Sequence, residues 1–443
     1  MMTAAMVLGG QSLGAIGVSA GNQASLPEPI VVTPDKNDVY SIKNAGQLVW
    51  FANQVNDGNT FSGKTVKLIA DIDLGDAEWT PIGVGHFTSN IPDADADRAF
   101  AGTFDGNNMV ISNYCVSHTS VEDNLNIGNY DKATGTNDYD YNLKNNYHSK
   151  GLFGYVNGGT VENFTVTGAK VDGWNAEAAV IGTMGSGTVQ HITVKDSAIS
   201  GTFENAGAVV GRQAGNNFSI TNCYVDNCNI TLTSETETAD KVYKNGAGAL
   251  IGRTEGGSPI ISNNLVYGCT ISAYRKASGL VGYLLQPTGL TMQNNDISGT
   301  NVNIHSPVPG NKLNDPYFGI LFSEIQGSPN TQRAYESSSS YTIYNFSYTN
   351  GATAQNCHTE NIAAPKLLNA SVSGSALTIN QFWQSTSEPV ASLASGGQFS
   401  DLRFAVECAN NGDIVTLLKD CTLDQMILLK KNLKVVLAGH SIT

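Results

Sequence analysis

One short phrase recurs seven times and fixes what this chain can become. It opens on a polar residue and closes on an apolar one: Asn113–Val116 (NYCV), Asn163–Val166 (NFTV), His191–Val194 (HITV), Asn222–Val225 (NCYV), Asn263–Val266 (NNLV), Asn294–Ile297 (NNDI) and Asn345–Tyr348 (NFSY). In the five middle copies a second apolar residue follows five positions later, giving Val166/Val171, Val194/Ile199, Val225/Ile230, Val266/Ile271 and Ile297/Val302. The first members of these pairs stand 28, 31, 41 and 31 residues apart, and the 41 contains one polar insert, Ser234–Asn245. A period near 30 in short β-branched segments means stacked units, none of which can bury its apolar face alone. The expected architecture is a solenoid, so function has to be sought on a solenoid's surface.

The columns of such a stack can be read off the sequence. In Gly151–Gly173 the pattern predicts three strands, Leu152–Val156, Val161–Thr167 and Ala169–Val171, separated by turns at Asn157–Gly159 and Gly168. The first strand returns as AAVIG, GAVVG, GALIG and SGLVG, so that Gly154, Gly182, Gly211, Gly252 and Gly282 share a column. In-register stacking would set equivalent residues about 4.8 Å apart. The leading column (Asn113, Asn163, His191, Asn222, Asn263, Asn294, Asn345) places amides where they can hydrogen-bond along the stack and cap turns. His191 has no carboxylate in its column and reads as a polar turn residue. Cys228 and Cys269 share a column with Ala169, Ser197 and Thr300. Two readings stand for it: a buried small-residue column, or a disulfide between adjacent units if the Cβ vectors converge.

These residues resemble the GLUG repeat of bacterial surface proteins, named for a Gly-Leu-x-Gly core. Gly151–Gly154 (GLFG) and Gly279–Gly282 (GLVG) match best, and the other copies relax Leu to Ala or Val. Phe100–Val116 is similar to the segment that precedes such repeats, and Asn44–Gly58 (NAGQLVWFANQVNDG) looks like a helical entry cap. The resemblance spans roughly 40–362. It implies a right-handed parallel β-helix, here of about seven coils with a short N-terminal helical cap, in a secreted or cell-surface bacterial protein. GLUG repeats also accompany IgA-cleaving metalloproteases, but none of the seven His residues starts an HExxH motif.

Four flanking regions complete the division. Residues 1–24 are rich in small and weakly apolar side chains, and Val18-Ser19-Ala20 suits signal peptidase, so a signal segment and export are expected. Residues 25–39 and 363–398 read as linkers. Residues 399–443 repeat the opening pattern of helix, Asn/Gly turn and apolar strand, and read as an incomplete second module: a helical cap plus the first β coils.

Composition narrows the function. A net charge of −14 leaves no basic stripe for nucleic acid. No run is long and apolar enough to span a bilayer. Seven cysteines without CxxC or Cys/His spacing imply no metal site, and no cofactor is implied. The column before the leading Asn (Glu162, Gln190, Thr221, Ser262, Gln293) and the one after the second apolar residue (Asp172, Ser200, Thr231, Ser272, Asn303) pair no two carboxylates. A non-enzymatic adhesion or binding module, contacting glycans or a host surface component, is the expected function. The alternatives are a carbohydrate-active β-helix enzyme and a passive stalk.

Candidate ligand residues lie in two places. Directly after the repeat glycine stand Tyr155, Thr183, Arg212, Arg253 and Tyr283. Arg212 and Arg253, with Tyr283 beside them, could present paired guanidinium forks to an acidic glycan, or Glu255 could neutralise them locally. The insert His118–Lys150 carries Tyr130, Tyr139, Tyr141 and Tyr147 among Asn and Asp, a composition suited to sugar stacking. Asp93, Asp95 and Asp97 begin like a calcium loop, but Arg98 replaces the required Gly and Phe104 the required Glu, which argues against an EF-hand and leaves looser calcium binding by this acidic loop as the alternative.

Overall fold

A computed structural model of the protein describes residues 24–83, 98–117, 149–304 and 389–443 with short internal breaks, and between 317 and 379 only short strand segments. The expected signal segment, the Asp93–Asp97 run, the tyrosine-rich insert and the Ser234–Asn245 insert lie outside the described residues.

The bends come first, because they set the unit. Asn113, Asn163, His191, Asn222 and Asn263 all adopt left-handed backbone, φ between 53° and 64°. A second left-handed column follows at Gly168, Asp196, Asn227, Gly268 and Gly299. Glycine and asparagine tolerate this conformation best, which is the physical reason for the recurring Asn and for the Gly/Asn/Asp five residues on. The amides of Asn113 and Asn163 donate to Asp73 (3.1 Å) and Asp105 (3.0 Å) of the preceding stacked strands.

Between bends the chain is extended and pairs with its neighbours in parallel. Val166, Val194, Val225, Val266 and Ile297 are register partners in succession. So are Val171, Ile199, Ile230, Ile271 and Val302. All ten are buried in one continuous core, as the apolar pairs require.

Each unit holds one strand more than the sequence reading found. After Lys170–Gly173 comes Ala176–Ala178, and only then Ile181–Met184, the strand carrying the repeat glycine. The extra strand recurs at Asn205–Gly207, Gly246–Gly248 and Lys276–Ser278 and forms its own parallel sheet. It is short and made largely of Ala and Gly, so it carries no alternating pattern to detect. Its sheet lies against the glycine column. A Cβ on Gly182 would stand 2.6 Å from Lys150 N, on Gly211 2.7 Å from Glu177 N, and on Gly282 2.5 Å from Ala247 N. Glycine is required here because two backbones touch with no side chain between them.

The bottom of the stack is closed by helix α1, Ala45–Asn56. Its start is a reciprocal cap: Asn44 Oδ1 accepts from Gln47 N (3.0 Å), and Gln47 Oε1 accepts from Lys43 N (2.8 Å). The buried face, Leu48, Phe51, Ala52 and Val55, plugs the open core end. Phe51 meets Phe61, Phe100 and Phe104 within 6.0 Å between ring centres, and each such fully buried apolar side chain contributes about 1.5–3 kcal/mol. The stretch read as a linker over 25–39 is seated on this cap: Ile30 N donates to Gly46 O at 2.9 Å and Val32 is buried.

The second expected linker also holds structure. Ala370–Ser373 and Ala376–Ile379 form a hairpin that pairs antiparallel with Thr300–Ile304. Ala391–Leu393 joins a four-stranded sheet with Gln398–Phe399, Ile414–Leu417 and Lys434–Val436, the last pair parallel. Helix α2, Leu402–Cys408, packs on that sheet, and the resulting core takes in Tyr224 and Leu265 from the outer face of the stack. Arg403 fixes the contact by donating to Asn222 O (2.7 Å) and Thr193 Oγ1 (3.2 Å).

Candidate functional site

The column after the repeat glycine is aligned as the sequence implied. Tyr155, Thr183, Arg212, Arg253 and Tyr283 are register partners. Its surroundings differ from an open surface. The first residue of each extra strand lies over the column one unit ahead: Ser149 Oγ is 2.8 Å from Thr183 Oγ1, and a Cβ on Gly246 would stand 2.9 Å from Tyr283 Cβ. Tyr283 is fully buried, with Lys276 Nζ 3.6 Å from its ring centre. Arg253 is also fully buried. Of the expected ligand-binding trio, only Arg212 keeps a surface, its side chain 12% exposed. The four insert tyrosines lie outside the described residues.

Glu255 gathers both arginines. Arg212 Nη2 donates to Glu255 Oε2 at 2.6 Å, and Arg253 Nη2 donates to the same oxygen. Glu255 N donates to Gln213 Oε1 at 3.3 Å, which ties the strand carrying the acid to its neighbour. Burial pushes the Glu255 carboxyl up, but the Arg253 and Arg212 guanidiniums outweigh it and hold the group at about 2. The like charges that stack repulsively in the sequence therefore share one carboxylate.

The Cys228/Cys269 column is a buried hydrogen-bonded row. Ser197 Oγ donates to Lys195 O (2.7 Å) and accepts from Ala169 N (3.1 Å). Cys228 and Cys269 repeat the first bond, each thiol 3.4 Å from the carbonyl two residues back, and both are free thiols. A second buried row runs one residue past the leading column. Asn264 Nδ2 donates to Asn295 Oδ1 (2.9 Å) and to Ile220 O (3.2 Å), and Asn264 Oδ1 accepts from Cys223 N (3.0 Å). Sequence reading passed over it, although the doubled Asn in NNLV and NNDI is its signal.

The outward face offers a different chemistry. Ala198/Ser200, Asn229/Thr231, Thr270/Ser272 and Asn301/Asn303 are register partners on consecutive strands. Ser200, Thr231, Ser272 and Asn303 are partly exposed, as are Asn229 and Thr270, and Asn301 is exposed, so hydroxyls and amides repeat in a row of four and a row of three at one strand spacing, about 4.8 Å. Among the described residues, no three His, Cys, Asp or Glu side chains group where they could hold a metal, and no helix is long and apolar enough to cross a membrane.

No protein-family model matches the chain, and no curated protein matches it. Among solved structures it is similar to a crystal structure described as a putative immunoglobulin A1 protease from Bacteroides ovatus. The two share 14% identity, with 70% of this chain and 84% of that chain covered and a TM-score of 0.35.

Proposed function

We propose that this chain is a non-enzymatic binding module of a secreted or cell-surface protein, built as a right-handed parallel β-helix of the GLUG-repeat kind, and that it contacts glycans on a partner surface. The observation that supports it is the double row from Asn229/Thr231 to Asn301/Asn303, extended on one side by Ser200, where donors and acceptors repeat on a rigid face. An extended glycan presents hydroxyls at regular intervals, and many weak hydrogen bonds from a preordered array add without ordering loops first. The buried charges favour scaffold over catalysis: the Glu255 carboxylate is engaged by two arginines and is held ionised far below the range of a general acid at neutral pH.

The test is a glycan array probed with the full chain and with Thr231→Arg/Ser272→Arg, whose bulk would block both rows. Binding by the parent and its loss in a variant of unchanged melting temperature is the expected result. Binding to acidic glycans alone, abolished by Arg212→Ala and not by the double substitution, would move the site to the arginine column. No binding to any glycan, or release of shorter oligosaccharides from one, would overturn the reading.

A further inference from the structure

Two independent observations meet at Cys228 and Cys269. The first is register. Asn229 pairs with Thr270 and Asp226 with Tyr267 on parallel strands, so the two cysteines occupy the same place in adjacent units. Their Cα atoms are one strand spacing apart, about 4.8 Å, inside the range a disulfide spans. Both side chains enter the core on the same face. Cys269 Sγ leans toward the preceding unit, 3.9 Å from Val225 O, and Cys228 Sγ leans likewise toward Val194 O at 3.7 Å. The second observation is position along the chain. Neighbouring members of this column are separated by 28 to 31 residues everywhere except between the two cysteines, where Ser234–Asn245 lengthens the interval to 41. The pair brackets the one insertion among these five paired units, where chain closure costs more than between their other neighbours.

We infer that Cys228 and Cys269 are a disulfide-forming pair that links the third and fourth of the five paired units across the insert when the chain folds in an oxidising compartment. Closing the bond needs a side-chain rotation at Cys228 and a slight approach of two strands already hydrogen-bonded to each other. Burial closes both thiols to an exchange partner once the stack has formed, so the exchange belongs to folding or to local opening. The oxidant is a disulfide of a thiol–disulfide exchange partner. One cysteine thiolate attacks it, giving a mixed disulfide and one partner thiolate. The second cysteine then attacks the mixed disulfide, forming the Cys228–Cys269 bond and releasing the second partner thiolate. Two protein thiols lose two protons and two electrons, and the partner disulfide becomes a dithiol.

The experiment refolds the full chain in a glutathione redox couple, blocks remaining thiols under denaturing conditions, and maps the peptides with trypsin and chymotrypsin, which separate Cys223 from Cys228 at Tyr224. The expected result is a linked pair containing Cys228 and Cys269, two hydrogens lighter than the reduced peptides. The oxidised chain should also melt higher than the reduced one, and Cys228→Ser/Cys269→Ser should abolish that difference. Quantitative blocking of both thiols after oxidative refolding would overturn the inference. So would a Cys223–Cys269 link. The map of the parent chain decides the matter even if the double variant folds poorly.

Discussion

Asn264 and Asn295 hold each other inside the core: the amide of one donates to the Oδ1 of the other at 2.9 Å, and that same Oδ1 accepts from Asn264 N at 3.1 Å. Asn295 Nδ2 goes on to Ile261 O at 3.0 Å. The pair thus serves backbone groups of two stacked units at the bend, where the strand ladder is interrupted.

Replacing Asn264 with Leu should destabilise the chain by about 2–4 kcal/mol, because it strands Cys223 N, Ile220 O and part of the Asn295 amide in the core. Chemical denaturation of the full chain measures this. A change below about 0.5 kcal/mol would mean that the bend reorganises around the substitution.

The glycine column separates two kinds of glycine. A Cβ at Gly252 would meet Gly211 O at 2.5 Å and Ala206 N at 2.7 Å, both backbone, so Gly252→Ala should cost about 3 kcal/mol or more. Gly158 has φ +83° and no atom within 4 Å, so Gly158→Ala meets only left-handed strain, about 1–2 kcal/mol. Melting temperatures of the two variants should rank in that order.

Acid should weaken the stack through Glu255. Its folded carboxyl titrates at about 2 against an ordinary 4.5, so the stabilisation is complete above pH 4.5 and is lost as pH falls toward 2. It amounts to about 2 kcal/mol once the 31% exposure of the Glu255 side chain is allowed for. Glu255→Gln should lower stability at pH 7 and flatten the profile between pH 4.5 and 2. Urea titrations across that range would show it, and an unchanged acid slope would assign the dependence to other carboxylates.

Removing residues 389–443 should lower the stability of the stack, because it bares Tyr224 and Leu265, both now fully buried. Arg403→Ala should do less, about 1–2 kcal/mol, through loss of two charge-assisted bonds. Hydrogen exchange at Cys223–Asp226 should rise in both variants.

What the sequence conveyed follows from which residues tolerate only one environment. The period, the core pairs and the helical entry cap were legible because Val and Ile at fixed spacing and a capped amphipathic run have few alternatives. The Asn column was placed correctly but explained incompletely: its constant property is left-handed backbone, and the amide ladder runs through Asn264 and Asn295 beside it. The extra strand was hidden because Ala and Gly carry no pattern. The docking of the C-terminal module was hidden because Tyr224 and Leu265 interrupt an outward column that otherwise reads Thr165, Thr193 and Asp296. A guanidinium pair is ambiguous in sequence, since solvent and a shared carboxylate both separate like charges, and only the overlying strands, as at Ser149 over Thr183 and Gly246 over Tyr283, decide whether the column is covered.

The parallel register has a mechanical consequence. Every hydrogen bond between units points along the stacking direction, so a pull in that direction loads the interfaces in series, and the weakest yields first. Each unit released would pay out about 30 residues, roughly 100 Å of extended chain. A stack built this way would lengthen stepwise under load and keep its remaining rows intact, and force spectroscopy would register it as a train of near-equal steps.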